Sequence, residues 1–131
     1  MYENLNDQEK TTHFFIENNL FIDYHSVLTN KPSEIGFKAE DDCILQQIPY
    51  DKLLSLYNQS HYLERIARVM AERQFVQEFE LRRQLLNFDA LQRYEYLIET
   101  KPYIFQRFAL KDIASFIGIT PVSLSRLRKF K

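Results

Sequence analysis

Leu110-Lys-Asp-Ile-Ala-Ser-Phe-Ile-Gly-Ile-Thr-Pro-Val-Ser-Leu-Ser-Arg-Leu-Arg128 reads as two short helices joined by a tight turn. Ile113, Ala114 and Ile117 form the inner stripe of the first helix. Gly118 supplies the turn, where a positive φ is cheap only without a Cβ. Thr120 is an N-cap residue and Pro121 fits the first helical position, so a second helix starts there. Leu124 and Leu127 give that helix its buried face and leave Ser123, Ser125, Arg126 and Arg128 to point elsewhere. A small residue at Ala114, a glycine four later, and apolar residues at Ile119, Leu124 and Leu127 suit a helix-turn-helix. The small side chain permits a close crossing, and the leucines fix its angle. An ordinary helical hairpin fits the same stretch. The polar and basic exposed positions favour DNA binding over it.

A length of 131 residues sets one domain of ordinary size, or two small ones sharing a core. No apolar run approaches the roughly 20 residues needed to span a bilayer. The polar, acidic start, Met1-Tyr-Glu-Asn-Leu-Asn-Asp7, is not that of a secretory signal. The single cysteine, Cys43, excludes an internal disulfide and any four-cysteine cluster within one chain. Together these features predict a cytoplasmic protein. The net charge of −1 hides an asymmetry. Residues 1–51 carry three lysines against ten acids, residues 52–100 are balanced, and residues 101–131 carry seven basic residues against Asp112 alone. A basic end on an acidic body is the electrostatic footprint of phosphate binding, and here it coincides with the two-helix motif.

The first half reads as β-rich. Thr11 to Ile16, Asn19 to Ile22, Ile35 to Ala39 and Cys43 to Ile48 are apolar, aromatic or β-branched runs separated by turn-forming residues. Asp23 to Thr29 is expected to form a short helical turn before Asn30-Lys31-Pro32-Ser33. About four strands would make an open sheet with unprotected edges, so either upstream sequence or another chain is expected to cover it.

The second half reads as helical. A helix from Pro49 and Asp51 to about Tyr57 is broken at Asn58-Gln59-Ser60, and Ser60 caps a longer one running to about Asn87. Leu63, Ile66, Met70, Gln77, Leu81 and Leu85 recur along it at helical steps, and Val69, Val76 and Phe79 add a second stripe. Such a helix is about 40 Å long at 1.5 Å per residue. Two apolar stripes require two partners, and a symmetric copy of the same helix is the economical second one. One helix of a monomeric bundle is the other reading, weakened by the shortage of further helices. Asp89 caps the next helix, whose face is Leu91, Tyr94, Leu97 and Ile98, and Lys101-Pro102 ends it. Asn87 to Asp89 is the best hinge candidate.

The order of these elements, with Pro32-Ser33, Ala39-Glu-Asp-Asp-Cys43, Arg93-Tyr94, Lys101-Pro102, Asp112-Ile-Ala114, Gly118-Ile-Thr-Pro121 and Leu124-Ser-Arg-Leu127, resembles the catabolite-activator/FNR (Crp/Fnr) type of transcription regulator. The resemblance covers nearly the whole chain, is most specific over the last forty residues, and is nearest to the branch common in Bacteroidetes. It implies an α+β fold in three parts: a partial β-roll effector-like domain over 1–59, a long dimerisation helix over 60–87, and a helix-turn-helix domain of winged-helix type over 88–131. Against the family pattern, the first half of the β-roll is missing, and the chain stops just after the recognition helix. A truncated product or fragment is therefore expected.

Cyclic-nucleotide-binding relatives carry Phe-Gly-Glu for the ribose and Arg-Ser/Thr-Ala for the phosphate. The corresponding stretches here are Phe21-Ile22-Asp23 and Ser33-Glu34-Ile35. Ile22 replaces the glycine, Ser33 stands where the arginine belongs, and Glu34 adds a negative charge. Losing that arginine costs on the order of a hundredfold in affinity, so a response to cyclic AMP is not expected. Asp23 and Ser33 remain weak effector-binding candidates, and Asp23 reads better as a helix cap.

The DNA contacts carry over better. Arg126 occupies the position whose fork donates to guanine O6 and N7. Thr120 and Ser123 sit where hydroxyls meet phosphates, and Lys111 opens the first helix near the backbone. Ser125 lies on the same exposed face, and Arg128, Lys129 and Lys131 add sequence-independent attraction. Val122 stands where relatives often carry an acid, and valine can only touch a thymine methyl.

The implied partners are double-stranded DNA with a palindromic operator, a second copy of the chain, RNA polymerase and an unspecified small-molecule effector. No cofactor is implied. His13, His25 and His61 lack metal-ligand spacing, Cys43 reads as a small hydrophobe in a strand, and no nucleophile, base pair or glycine loop points to catalysis. The expectation is thus a dimeric regulator and not an enzyme. The alternative is a ligand-sensing or protein-interaction module whose helix-turn-helix no longer reads DNA.

Overall fold

A computed structural model describes residues 1–5 and 8–129. Two short polar strands come first in the sequence. β1 (Tyr2–Leu5) and β2 (Gln8–Thr11) pair antiparallel, with Tyr2 opposite Thr11 and Leu5 opposite Gln8. α1 (Tyr24–Thr29) follows, capped by Asp23, whose side chain accepts from the Ser26 amide at 3.0 Å. It ends on Asn30, held at φ 54°, a left-handed conformation that asparagine tolerates. β3 (Ile35–Gly36) then pairs antiparallel with the free side of β1, giving an open sheet in the order β2-β1-β3. Gly36 lies opposite Tyr2, and a Cβ there would stand 2.4 Å from the tyrosine ring, so a larger residue would require that ring to move aside.

The remaining elements are helical. α2 (Tyr50–Gln59) stops at Ser60, which adopts an extended conformation and caps α3 (His61–Asn87). α4 (Ala90–Thr100) opens on a capping box, Asp89 accepting from the Gln92 amide and Gln92 from the Asp89 amide, both at 2.9 Å. Three short helices complete the chain: α5 (Ile104–Arg107), α6 (Leu110–Ile117) and α7 (Pro121–Lys129). Among the described residues the architecture is therefore α+β, with seven helices and one small antiparallel sheet.

The strand content differs from the expectation. Of the four aromatic and β-branched runs, Thr11 closes β2 and Ile35–Gly36 forms β3. The rest of Thr11–Ile16, Asn19–Ile22, Phe37–Ala39 and Cys43–Ile48 lies outside any strand. Cys43 is exposed and not part of a strand, and Ile44 is 97% exposed. β propensity is the fit of a side chain to a pleated, half-buried surface, and among the described residues no neighbouring strand supplies one to these segments. The phenylalanines pack ring to ring instead. Phe14 lies 4.5 Å from Phe108 and 5.3 Å from Phe116 between ring centroids, and Phe15, Phe21 and Phe37 form a second cluster.

The chain forms two compact units, residues 1–42 with 89–131, and residues 43–88. In the second unit α2 packs against α3, and neither helix buries a residue fully. The core of the first unit is Tyr94, Leu97, Ile104, Ile113, Ala114, Ile117 and Leu124. Tyr94 meets Phe105 edge-on at 5.5 Å, a favoured geometry for aromatic rings. Each fully buried aliphatic side chain in this group contributes about 1.5–3 kcal/mol. None of the described helices is long and apolar enough to cross a membrane.

Candidate nucleic-acid interface

The basic end of the sequence folds onto that core through α6 and α7. α6 turns Ile113, Ala114 and Ile117 inward, with Ile113 and Ala114 at 0% exposure, so the residue expected to allow a close helix crossing is fully covered. The helix ends on Gly118, whose φ of 79° is the left-handed value expected of a glycine C-cap. The Ile119 amide reaches back to the Ala114 carbonyl at 2.9 Å and the Gly118 amide to Ser115 at 3.1 Å, closing the turn. Three residues, Gly118 to Thr120, separate the two helices.

Thr120 caps α7. Its Oγ1 accepts from the Ser123 amide at 3.1 Å and shares a second bond with the Ser123 hydroxyl at 3.0 Å. The two hydroxyls expected to meet phosphates are thus bonded to each other. That pair uses one hydroxyl proton and leaves the other to donate outward. Leu124 is 0% exposed and Leu127 half-buried, while Val122, Ser123, Ser125, Arg126, Arg128 and Lys129 are exposed. Arg126, Arg128 and Lys129 occupy the last turn of α7, where cations also favour the negative end of the helix dipole. Among the described residues, no acid lies within ion-pair distance of these three, so their charge is available to a ligand. Lys111 is exposed on the first turn of α6. Lys131, also expected to contribute, lies outside the described residues.

Two features at this site were not legible in the sequence. Arg93 of α4 donates from Nε to the Ile117 carbonyl at 2.7 Å, across 24 residues. Ser115, on α6, takes a hydrogen bond from the Thr11 amide at 3.0 Å and donates to the Glu9 carbonyl at 3.5 Å, tying β2 to α6. No local pattern announces either, because both partners are distant in sequence. A further tie is the bidentate pair between Arg107 and Glu17, at 2.6 and 2.8 Å. Those bonds from Arg107 pull the Glu17 carboxyl down to about 2 and raise the arginine in turn.

The residues considered for an effector come together. The Ser33 hydroxyl donates to Asp23 Oδ2 at 2.6 Å, while the same carboxylate caps α1. The Ser33 bond and then the Ser26 amide hold the Asp23 carboxyl below its ordinary range. Both oxygens of Asp23 therefore have internal work as a cap and loop tie. On α3, Leu63, Ile66, Met70 and Leu85 are each more than a third exposed, Gln77 is exposed, and Leu81 is half-buried. Among the described residues there is no group of three or more histidine, cysteine, aspartate or glutamate side chains that could hold a metal ion. No protein-family model, curated protein or solved structure matches the chain.

Proposed function

We propose that the chain is a sequence-specific, DNA-binding transcription regulator of the Crp/Fnr type, with α6 and α7 as its helix-turn-helix. The observation that carries this reading is the division of α7. Leu124 and Leu127 face inward while Ser123, Ser125, Arg126, Arg128 and Lys129 stay exposed and, among the described residues, no acid is paired to the cations. A helix that presents an unpaired arginine fork between small hydroxyls can enter a major groove and donate twice to guanine. The flanking cations and the spare hydroxyl proton of the Thr120–Ser123 pair then serve the phosphates.

The working unit is a homodimer in which two copies of α3 pair through Leu63, Ile66, Met70, Gln77, Leu81 and Leu85. The exposed apolar side chains along α3, these four and others such as Phe75 and Leu86, support a partner for that helix. Two recognition helices about 34 Å apart then meet successive major grooves of a palindromic operator. Cyclic AMP is not the signal, because Ser33 stands in place of the phosphate-binding arginine and Asp23 is occupied as a helix cap.

Selection of duplexes from a random pool tests the reading. A palindromic consensus is expected, bound with steep salt dependence. Arg126→Ala should relax preference at one guanine per half-site, a loss of about 1–3 kcal/mol per contact. No enriched sequence, or an Arg126→Ala protein with unchanged affinity and preference, would overturn it.

A further inference from the structure

We propose that Arg93 is a positioning residue for α7, acting by pinning the one peptide plane on which the turn before that helix depends. Its role in DNA binding rests on α7 being the reading helix; its hold on the turn does not.

Ile117 is the last residue of α6, so its carbonyl is one of those a helix leaves without an internal donor. The turn's own amides go elsewhere. Gly118 donates to Ser115 and Ile119 to Ala114, so the Ile117 carbonyl is left for Arg93, which reaches it at 2.7 Å from Nε. The carbonyl of Ile117 and the amide of Gly118 belong to the same rigid plane. That plane is therefore gripped from both sides, by α6 through the Gly118 amide and by α4 through Arg93. The rotation following it is the φ of Gly118, 79°, and only Ile119 and Thr120 stand between that rotation and the first residue of α7. Glycine has no steric preference of its own for this value over its mirror image, so the conformation has to be fixed from outside. Arg93 also lies along the turn, with Nη2 3.8 Å from the position a Gly118 Cβ would take. A cation at this place suits the negative end of the α6 dipole, and a charge-assisted bond is stronger than a neutral one.

α4 is itself anchored immediately upstream by the Asp89–Gln92 capping box, directly after Phe88, where the second compact unit ends. Arg93 thus stands on the first helix of its segment and holds the turn that sets the direction of the last.

The test uses the full chain and two variants, Arg93→Met, which keeps the aliphatic stem and removes every donor, and Arg93→Lys, which keeps a cation and a donor. The first readout needs no DNA and is the hydrogen exchange of the Gly118 and Ile119 amides. In Arg93→Met these should exchange about tenfold faster, the size of one charge-assisted hydrogen bond, with the Leu97 amide of α4 unchanged and Arg93→Lys restoring most of the protection. The second readout is affinity for a duplex selected from the random pool against that for a scrambled one. Arg93→Met should weaken the selected duplex about tenfold and leave the scrambled one and the salt dependence unchanged. Unchanged exchange at Gly118 and Ile119 overturns the proposal, as does equal loosening of Leu97, which would mark a general packing role. A wild-type chain that prefers no duplex refutes the DNA reading, and the exchange arm then still decides what Arg93 does to the turn.

Discussion

Replacing Gly118 by alanine isolates the cost of the turn itself. The ideal Cβ would meet nothing nearer than Arg93 Nη2 at 3.8 Å, an ordinary contact, so crowding adds nothing. What remains is conformational. A residue with a Cβ pays about 1–2 kcal/mol in the left-handed region that Gly118 occupies. The same methyl restricts the unfolded chain and returns about 0.4–1 kcal/mol. The net expectation is a destabilisation of about 1 kcal/mol, or about a fivefold rise in the open population. Because the chain forms two compact units, a single unfolding curve would mix them. The proper assay is hydrogen exchange at slow amides of the first unit, such as Leu97, Ile113 and Leu124, which reports the opening of that unit alone. Gly118→Asn should lose less than alanine, since asparagine visits the left-handed region more readily. An alanine variant as stable as the parent, or an asparagine variant worse than alanine, would refute the assignment of this glycine to a left-handed cap.

Two further outcomes are expected. Leu124→Ala removes a side chain at 0% exposure from the junction of α6 and α7 and should cost about 2–5 kcal/mol, read by the same amides. The Glu17 carboxyl, held near 2 by Arg107 against an ordinary 4.5, is depressed in the folded state. Its contribution is therefore present above pH 4.5 and lost as the pH falls towards 2, weakly and with strong salt sensitivity because the pair is on the surface. Carbon-detected titration of Glu17 should show that midpoint, and Arg107→Gln should return it to the ordinary range.

The helical half was legible because its signals are local. Ser60, Asp89, Thr120, Gly118 and Pro121 each act within a few residues of themselves, and each stands at the helix end its chemistry predicts. The inward positions Ile113, Ala114, Ile117 and Leu124 followed from period alone. The sheet was not legible for the opposite reason. Tyr2–Leu5 and Gln8–Thr11 are polar, and the available signal was only Asn6-Asp7 between two short runs. Aromatic runs such as Thr11–Ile16 look like strands in isolation, yet Phe14 is drawn to Phe108 and Phe116, about a hundred residues away. Arg93 and Ser115 were missed on the same account, since their partners are chosen by the tertiary fold.

The tie between Thr11 and Ser115 spans 104 residues, and Phe14 closes on α6 across a similar distance. During synthesis the early hairpin must wait, its companion surface unmade, until nearly all the intervening chain has left the ribosome. Residues 43–88 have no such wait, because their contacts lie within one continuous segment. Contacts so distant in sequence form slowly, since the entropy of closing the loop is lost before any burial is gained. A newborn chain would thus hold Phe14 without the rings of Phe108 and Phe116 until both have emerged, whereas Phe15 and Phe21 can close on Phe37 early, within their own segment.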